Sequence, residues 1–427
     1  MVEQRQDLGD AGAADGPVRG WTAPGWEPVA DAFGQNFAEG LEVGAAFACY
    51  HRGRKVVDLW GGLADPRTGR PWDEDTVALV FSTTKGWTSL CAHLLAQDGR
   101  LDLQAPVARY WPEFAQAGKG QVTVADLLAH RAGLAWVDTP MTLDEALAWD
   151  PVCEALARQA PAWPPGSAHG YHATTFGWLV GEVIRRVAGQ RIGPFLQDRV
   201  SRPLGARAWI GLPEAEEPKV ARLVSALDPE AAPATPGASG GGAAPDPELE
   251  AMVALAGEYL APDGPLTKAL QAPGGALAEP GIWNRPEVHR AEIPAANGIC
   301  DARSLAQLYS ACCTETETAT GGRLRLLRPE QLKAALVQQT TGPDRVLLGL
   351  DIQWGLGFML HTGVIAEARM GGPRSFGHFG AGGSVGWADP DRELALGYVM
   401  NRMSLGATGD VRSARLAQAA LRCAEAS

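Results

Sequence analysis

The sequence predicts an α+β fold: one antiparallel sheet flanked by helices and formed from both chain ends, with an all-helical subdomain inserted between them. Three observations carry this expectation. Strand signals, apolar and β-branched runs cut by turn residues, occur early and return in the last third. Helical periodicity fills the stretch between. No segment repeats at a fixed period, so the chain is not a solenoid or propeller.

The elements follow in order. The start, "MVEQRQDLGDAGAADGPVRG", is polar and has no apolar run of the kind a secretory leader needs. Residues 1–22 read as a disordered tail. Val29, Phe33 and Phe37 recur at helical spacing. "GAAFACYHRGRKVVDLWGG" reads as a hairpin turning at His51-Arg52-Gly53-Arg54. Thr76 to Phe81 is a short strand or extended segment, and from Thr83 a helix places Trp87, Leu90, Cys91, Leu94 and Leu95 on one face. Thr123 opens a second helix, with Asp126 completing a near capping box and Gly133 closing it. A third helix runs from about Thr174, its stripe being Phe176, Leu179, Val180, Val183, Ile184 and Val187, with Gly189 after its end.

Between Ala231 and Pro247 the composition collapses to Ala, Pro, Gly, Ser and Thr, which reads as a flexible insertion over about 229–248. "SFGHFGAGGSVGWADPDRELALGYVMNR" reads as strands around an Asp389-Pro390-Asp391 turn, and a last helix covers Val411 to Leu421. The expected division is a tail over 1–22, a sheet domain over 23–85 and 293–427, and a mainly helical subdomain over 86–292.

The 427 residues are 46% hydrophobic and 20% charged, enough to bury a large core. A net charge of −12 repels phosphate backbones and argues against nucleic acid as a partner. No apolar run approaches the roughly 18 residues that span a bilayer, so no membrane insertion is expected. The seven cysteines (49, 91, 153, 300, 312, 313 and 423) show no metal-ligand spacing and read as reduced thiols of a cytoplasmic protein. Oligomeric state is not legible.

The chemistry starts at "ALVFSTTKGW", where Lys85 stands three positions after Ser82. Only six of the 37 basic residues are lysines, so this chain uses arginine where charge alone suffices. A lysine straight after an apolar strand therefore stands out, because only an amine, never a guanidinium, serves as a base. Serine is a weak nucleophile and needs a base at hand. At a helix start, positions i and i+3 bring the two groups together, on the side away from the Trp87/Cys91/Leu94 stripe and facing a cleft. The Ser82 N–H, at a helix N-terminus, is one donor for an oxyanion.

Tyr171, in the Pro/Gly-rich loop "PPGSAHGYHATTFGW", is the candidate proton shuttle; a cationic lysine beside it would lower its pKa. "GHFGAGGSVG", Gly377 to Gly386, is the third wall, whose glycines mark close backbone approach. There the Ala381 N–H is the second oxyanion donor and His378 flanks it. The Gly382-Gly383-Ser384-Val385-Gly386 match to the G-x-S-x-G nucleophile elbow is a decoy. A hairpin pattern follows it rather than a helix, and no histidine occurs after His378.

With these three segments the chain resembles the serine β-lactamase/penicillin-binding-protein superfamily, in the class C β-lactamase-like branch that includes the family VIII carboxylesterases. Ser82-Thr83-Thr84-Lys85 matches the family's S-x-x-K, Tyr171-His172-Ala173 falls at its Tyr-x-Asn, and His378-Phe379-Gly380 at its Lys-Thr-Gly. "TVADLLAHRAGL" and "AANGICDARSLAQLY" are also similar to family segments. The resemblance implies catalysis by Ser82, Lys85 and Tyr171. It implies an oxyanion hole from the Ser82 and Ala381 N–H groups, and substrate contacts from His172, His378, Phe379 and Gly380. Two departures, Ala173 for the asparagine and a largely neutral His378 for the lysine, remove a fixed cation suited to carboxylate-bearing substrates and favour neutral esters.

The expectation is a serine carboxylesterase of small-molecule esters that forms an acyl-enzyme and needs neither metal nor organic cofactor. A transacylase passing the acyl group to an alcohol or amine is the nearest alternative. A β-lactamase or amidase, and a non-catalytic binding protein on the same fold, are weaker ones.

Overall fold

The structure, a computed structural model, describes residues 6–7, 18–225, 257–361, 371–404 and 410–427. One antiparallel sheet of nine strands is built from both chain ends. Its order is β1 (Gln6–Asp7), β2 (Val18–Thr22), β4 (Arg54–Asp65), β3 (Gly44–His51), β14 (Leu394–Met400), β13 (Val385–Asp389), β12 (Phe376–Phe379) and β11 (Met359–Leu360), with β5 (Arg70–Pro71) pairing β4 off this path. β6 (Ala78–Leu79), β8 (Ile299–Cys300) and β7 (Ala208–Trp209) form a small second sheet, and β9 (Thr316–Glu317) pairs β10 (Arg323–Leu324).

The two chain ends meet where β3 pairs β14, from Leu394 opposite His51 to Met400 opposite Ala45. Both strands are buried along their whole length. Alternation explains how. Ala45, Phe47 and Cys49 point to one apolar layer, shared with Val29 and Phe33 of α1 (Glu27–Ala38) and Leu416 of the C-terminal helix Val411–Ala426. Ala46, Ala48 and Tyr50 point to the other, shared with Leu305 and Leu308 of the helix Ala302–Cys313. With helices on both faces, neither face needs polar residues. The β3–β4 hairpin turns on Arg52 (φ 52°) and Gly53 (φ 74°), two left-handed residues of the kind that match strand twist in a two-residue turn.

Three expectations are corrected. Val18–Thr22 is not tail but strand β2, paired on β4 from Val18 opposite Gly61 to Thr22 opposite Val57. Its polar sequence lacks an apolar signal because backbone pairing, not side-chain burial, holds an outer strand. The segment before Ser82 is a short strand as expected: Ala78–Leu79 joins the small sheet, and Val77 and Phe81 bridge to Val220 and Asn297. The helix opened by Thr123 has its capping box but spans only Val124–Leu128. It stops because His130 takes the left-handed conformation (φ 59°) and Arg131 N–H reaches back to Asp126 O (2.8 Å), a glycine-type ending without the glycine. Finally, α2 (Thr84–Gln97) is not amphipathic: every residue from Thr84 to Leu95 is buried, since the helix runs through the centre of the molecule. The third expected helix, α3 (Thr175–Ala188), ends on a left-handed Gly189 as its sequence indicates. The insertion expected at 229–248 lies outside the described residues.

All seven cysteines are free thiols, six of them buried. Among the described residues no helix is long and apolar enough to cross a membrane.

Asn401 stitches the sheet where the two chain ends join. Its buried amide donates to Leu63 O (2.9 Å) and Ala64 O (3.2 Å) and accepts from Gly44 N–H (2.9 Å). Asn401→Ala takes the partner from Gly44 N–H and Leu63 O, while Ala64 O keeps the Arg222 N–H (2.8 Å). An unpaired group costs about 1–3 kcal/mol where water cannot replace the amide. A drop of about 3 kcal/mol in unfolding free energy is expected from denaturant titration. An unchanged midpoint would show that the amide carries no such role.

Candidate active site

Ser82 sits between β6 and α2, and the turn that presents it is strained. Phe81 holds φ 44°, a left-handed conformation rare for an aromatic residue. Neighbours over-determine it. The Phe81 ring packs edge-on against Trp283 at 5.3 Å, and its carbonyl accepts from Thr84 Oγ1 (2.5 Å). Strain of this kind costs about 1–3 kcal/mol and persists where the surroundings impose it. Thr84 Oγ1 in turn accepts from Gly298 N–H (2.8 Å), tying the turn to the segment after 293.

One helical turn on, the Lys85 amine lies 3.0 Å from Ser82 Oγ. Its other partners are the carbonyls of Ala173 (2.6 Å) and Ala295 (3.0 Å). Lys85 is fully buried, and burial holds its amine well below the ordinary lysine range. A neutral amine has two N–H groups and one lone pair. Two carbonyls take the N–H groups, and the lone pair is left for the Ser82 hydroxyl. Among the described residues no carboxylate is paired with this lysine to offset the cost of burying its charge.

Tyr171 comes from the loop before α3. Its N–H donates to Asp344 Oδ1 (3.0 Å), a buried carboxylate oxygen that also accepts from Val346 and Leu347 N–H (both 2.8 Å). Its ring stacks on Trp354 (10° between planes, 5.6 Å between centres), and Lys85 Nζ lies 4.7 Å from the ring centre. The phenol is raised above its ordinary value, first by burial and against the pull of a hydrogen bond with Ser82. This corrects the sequence expectation of a lowered tyrosine pKa. Burial of the phenol itself disfavours the phenolate and outweighs any nearby positive charge. Tyr171 therefore stays protonated and can relay a proton but not start as a phenolate.

The third wall is the end of β12 and the turn after it. His378 and Phe379 are buried, at 1% and 3% exposure. The His378 Nδ1 pairs with Phe379 O (2.6 Å), and burial, with Lys85 second, pushes its pKa down to about 3. The ring is neutral; its Nε2 has no hydrogen-bond partner among the described residues. Gly380 must be glycine: a Cβ there would fall 2.2 Å from Val80 O and 2.1 Å from Ser384 Oγ. The wall thus closes directly on the Ser82 turn. Ser82 and Ala381 keep partial exposure while the residues around them are buried. Neither of their N–H groups donates to a backbone carbonyl among the described residues.

Two further outcomes concern residues marked in the sequence. His172, expected to touch substrate, is fully buried and faces the interior. Its Nε2 accepts from Leu134 N–H (3.0 Å) and its Nδ1 pairs with Gly170 O (2.7 Å), so it braces the Tyr171 loop instead. Ser384, the decoy, is also spent structurally, donating to Val80 O (2.8 Å). The residues missed are His130, Trp354 and Asp344. His130 packs 5.1 Å from Tyr171 and 4.4 Å from Trp354, and its Nδ1 accepts from His172 N–H (3.1 Å). The segment "TVADLLAHRAGL" carried the one available signal for it; Trp354 and Asp344 had none.

A serine hydroxyl 3.0 Å from a buried lysine amine, between an antiparallel sheet and a helical body, is the arrangement of a serine hydrolase. Comparison with known proteins is more specific. The chain matches the family described as Beta-lactamase over residues 33–421, and it belongs to that family. It is 33% identical over 416 residues to the esterase/beta-lactamase LipL of Mycobacterium tuberculosis, covering 94% of this chain and 88% of that protein. A family VIII carboxylesterase crystal structure is 36% identical with a TM-score of 0.79, covering 95% of this chain and 99% of that one. A penicillin-binding-protein homologue from Caulobacter crescentus gives the same identity, TM-score and coverage.

Proposed function

We propose that this protein is a carboxylesterase that cleaves small neutral esters through an acyl-enzyme on Ser82. The observation that carries this reading is the Lys85 amine, 3.0 Å from Ser82 Oγ and paired otherwise, among the described residues, with two carbonyls. In this mechanism the lone pair of Lys85 takes the Ser82 proton as Oγ attacks the ester carbonyl. The N–H groups of Ser82 and Ala381 hold the oxyanion. As the tetrahedral adduct collapses, the Tyr171 hydroxyl gives its proton to the departing alcohol oxygen and is refilled from the Lys85 ammonium. Water then attacks the acyl carbonyl, losing a proton to the same relay, and the acid leaves with Ser82 restored.

The neutral His378 supports the choice of a neutral ester, since that wall offers no imidazolium for a substrate carboxylate. Names among the relatives point the same way: an esterase/beta-lactamase and a family VIII carboxylesterase.

Intact-protein mass spectrometry after exposure to a panel of esters, lactams and amides tests the reading. An acyl mass on Ser82 from esters, decaying to free acid in water, is the expected result. Acylation by lactams alone, or an adduct on any residue but Ser82, would replace it. Decay to an acylated amine or alcohol in preference to acid, when such acceptors are added, would make the enzyme a transacylase.

A further inference from the structure

The turn that carries Ala381 is anchored from the far side by a buried arginine. Arg412, in the first turn of the C-terminal helix, is 3% exposed. Its Nη2 donates to Gly382 O at 2.6 Å, a carbonyl that also accepts from Ser404 N–H at 3.0 Å. In a trans peptide the N–H points opposite to the C=O. Fixing Gly382 O therefore fixes the Gly383 N–H, which donates to Gly380 O (3.1 Å). Fixing Gly380 O in turn fixes the N–H on the other side of that peptide, and this is the Ala381 N–H. Two peptide planes thus connect the guanidinium to the proposed oxyanion donor.

The guanidinium is itself immobilised. Nη1 donates to Glu42 Oε2 (3.1 Å) and Arg402 O (2.9 Å), and Nε and Nη2 donate to Asp410 Oδ2 (2.9 and 2.6 Å). Glu42 is held from its other oxygen by the Tyr398 hydroxyl. Gly383, at φ 122°, leaves the space this requires: a Cβ there would stand 2.6 Å from both Arg412 Nη2 and Asp410 Oδ2. Charge satisfaction alone would not bring an arginine fork to a glycine turn, since Glu42 and Asp410 already neutralise it.

We propose that Arg412 is a positioning residue that aims the Ala381 N–H at the oxyanion. The proposal rests on the esterase reading of the site. Its test compares a matched ester and thionoester, because sulfur is larger and a weaker hydrogen-bond acceptor than oxygen and gains little from an oxyanion donor. The wild-type enzyme is expected to prefer the oxygen ester strongly. In Arg412→Lys, kcat for the ester should fall about 30- to 100-fold, with KM little changed and the thionoester rate nearly unaffected, so that the preference collapses. Equal losses on both substrates would mark a structural role only and overturn the proposal. Should Arg412→Lys lose its folded circular dichroism spectrum, Glu42→Gln decides. It loosens the fork without removing it, and a roughly three- to tenfold loss confined to the oxygen ester is expected. A wild-type preference that survives in the folded variants overturns the role of Arg412 alone. A wild-type enzyme that handles both substrates alike overturns the Ala381 donor reading, and the Arg412 proposal with it.

Discussion

Alanine in place of Ser82 is expected to reduce hydrolysis of a short-chain p-nitrophenyl ester to background, a loss on the order of a million-fold in kcat. The substitution removes the attacking oxygen and nothing else. Lys85 keeps Ala173 O and Ala295 O as partners, so its position does not depend on the hydroxyl. Ser82 is half-buried, and its side chain bonds to Lys85 and to Tyr171, both of which other contacts also hold. Thermal unfolding should therefore change little, by about 0.5 kcal/mol or less. The remaining N–H donors and the cleft leave only residual catalysis. A variant that keeps more than about one hundredth of the wild-type rate would end the assignment of Ser82 as nucleophile.

The second large effect is expected at Lys85. Lys85→Arg keeps a cation and removes a base, because a guanidinium does not give up its proton in the working pH range. A loss of about 10²–10⁴ in kcat is expected from the missing general base. Arginine also brings an unpaired charge into a fully buried site, which destabilises. Lys85→Met separates the two effects: it has no charge, and it leaves the two carbonyls unpaired at about 1–3 kcal/mol each. Both variants should lose activity, and only the arginine should carry the penalty of a buried charge. Activity retained in folded Lys85→Met would show that Lys85 is not the base.

The pH dependence follows from the direction of the Lys85 shift. Its pKa in the fold lies well below 10.5, and the amine works when neutral. Activity should fall as pH drops through that lowered value, and no further gain should come near 10.5. For stability the sign is the same. The unfolded chain binds the proton more tightly, so the contribution of Lys85 is present above its unfolded pKa and lost as pH falls toward the folded one. A rate profile still rising through pH 10.5 would mean that an ordinary, solvated lysine does the work.

The Ser82–Lys85 pair was legible because its signal is local. Three residues of spacing at a helix start bring Ser82 and Lys85 together whatever the rest of the chain does, and the scarcity of lysine in this sequence made the choice of amine visible. Strand periodicity, the Arg52-Gly53 turn and the left-handed Gly189 are local in the same sense. The corrections share the opposite property. β2 is a strand because β4 offers it a partner. His172 is structural because Leu134 N–H lies across from it, a loop away.

What the sequence by itself determined, then, is the class of elements and the Ser82–Lys85 pairing, since both depend on contacts within one or two turns of chain. The tertiary structure alone decided the surroundings of that pair. Ala173, Ala295, Phe176 and Tyr171 come from distant segments to enclose Lys85, and their combined exclusion of water holds its amine well below the ordinary lysine range. It decided the Arg412 anchor too, 30 residues beyond Gly382. A pKa and a hydrogen-bond angle are properties of surroundings, and surroundings exist only once the chain has closed on itself.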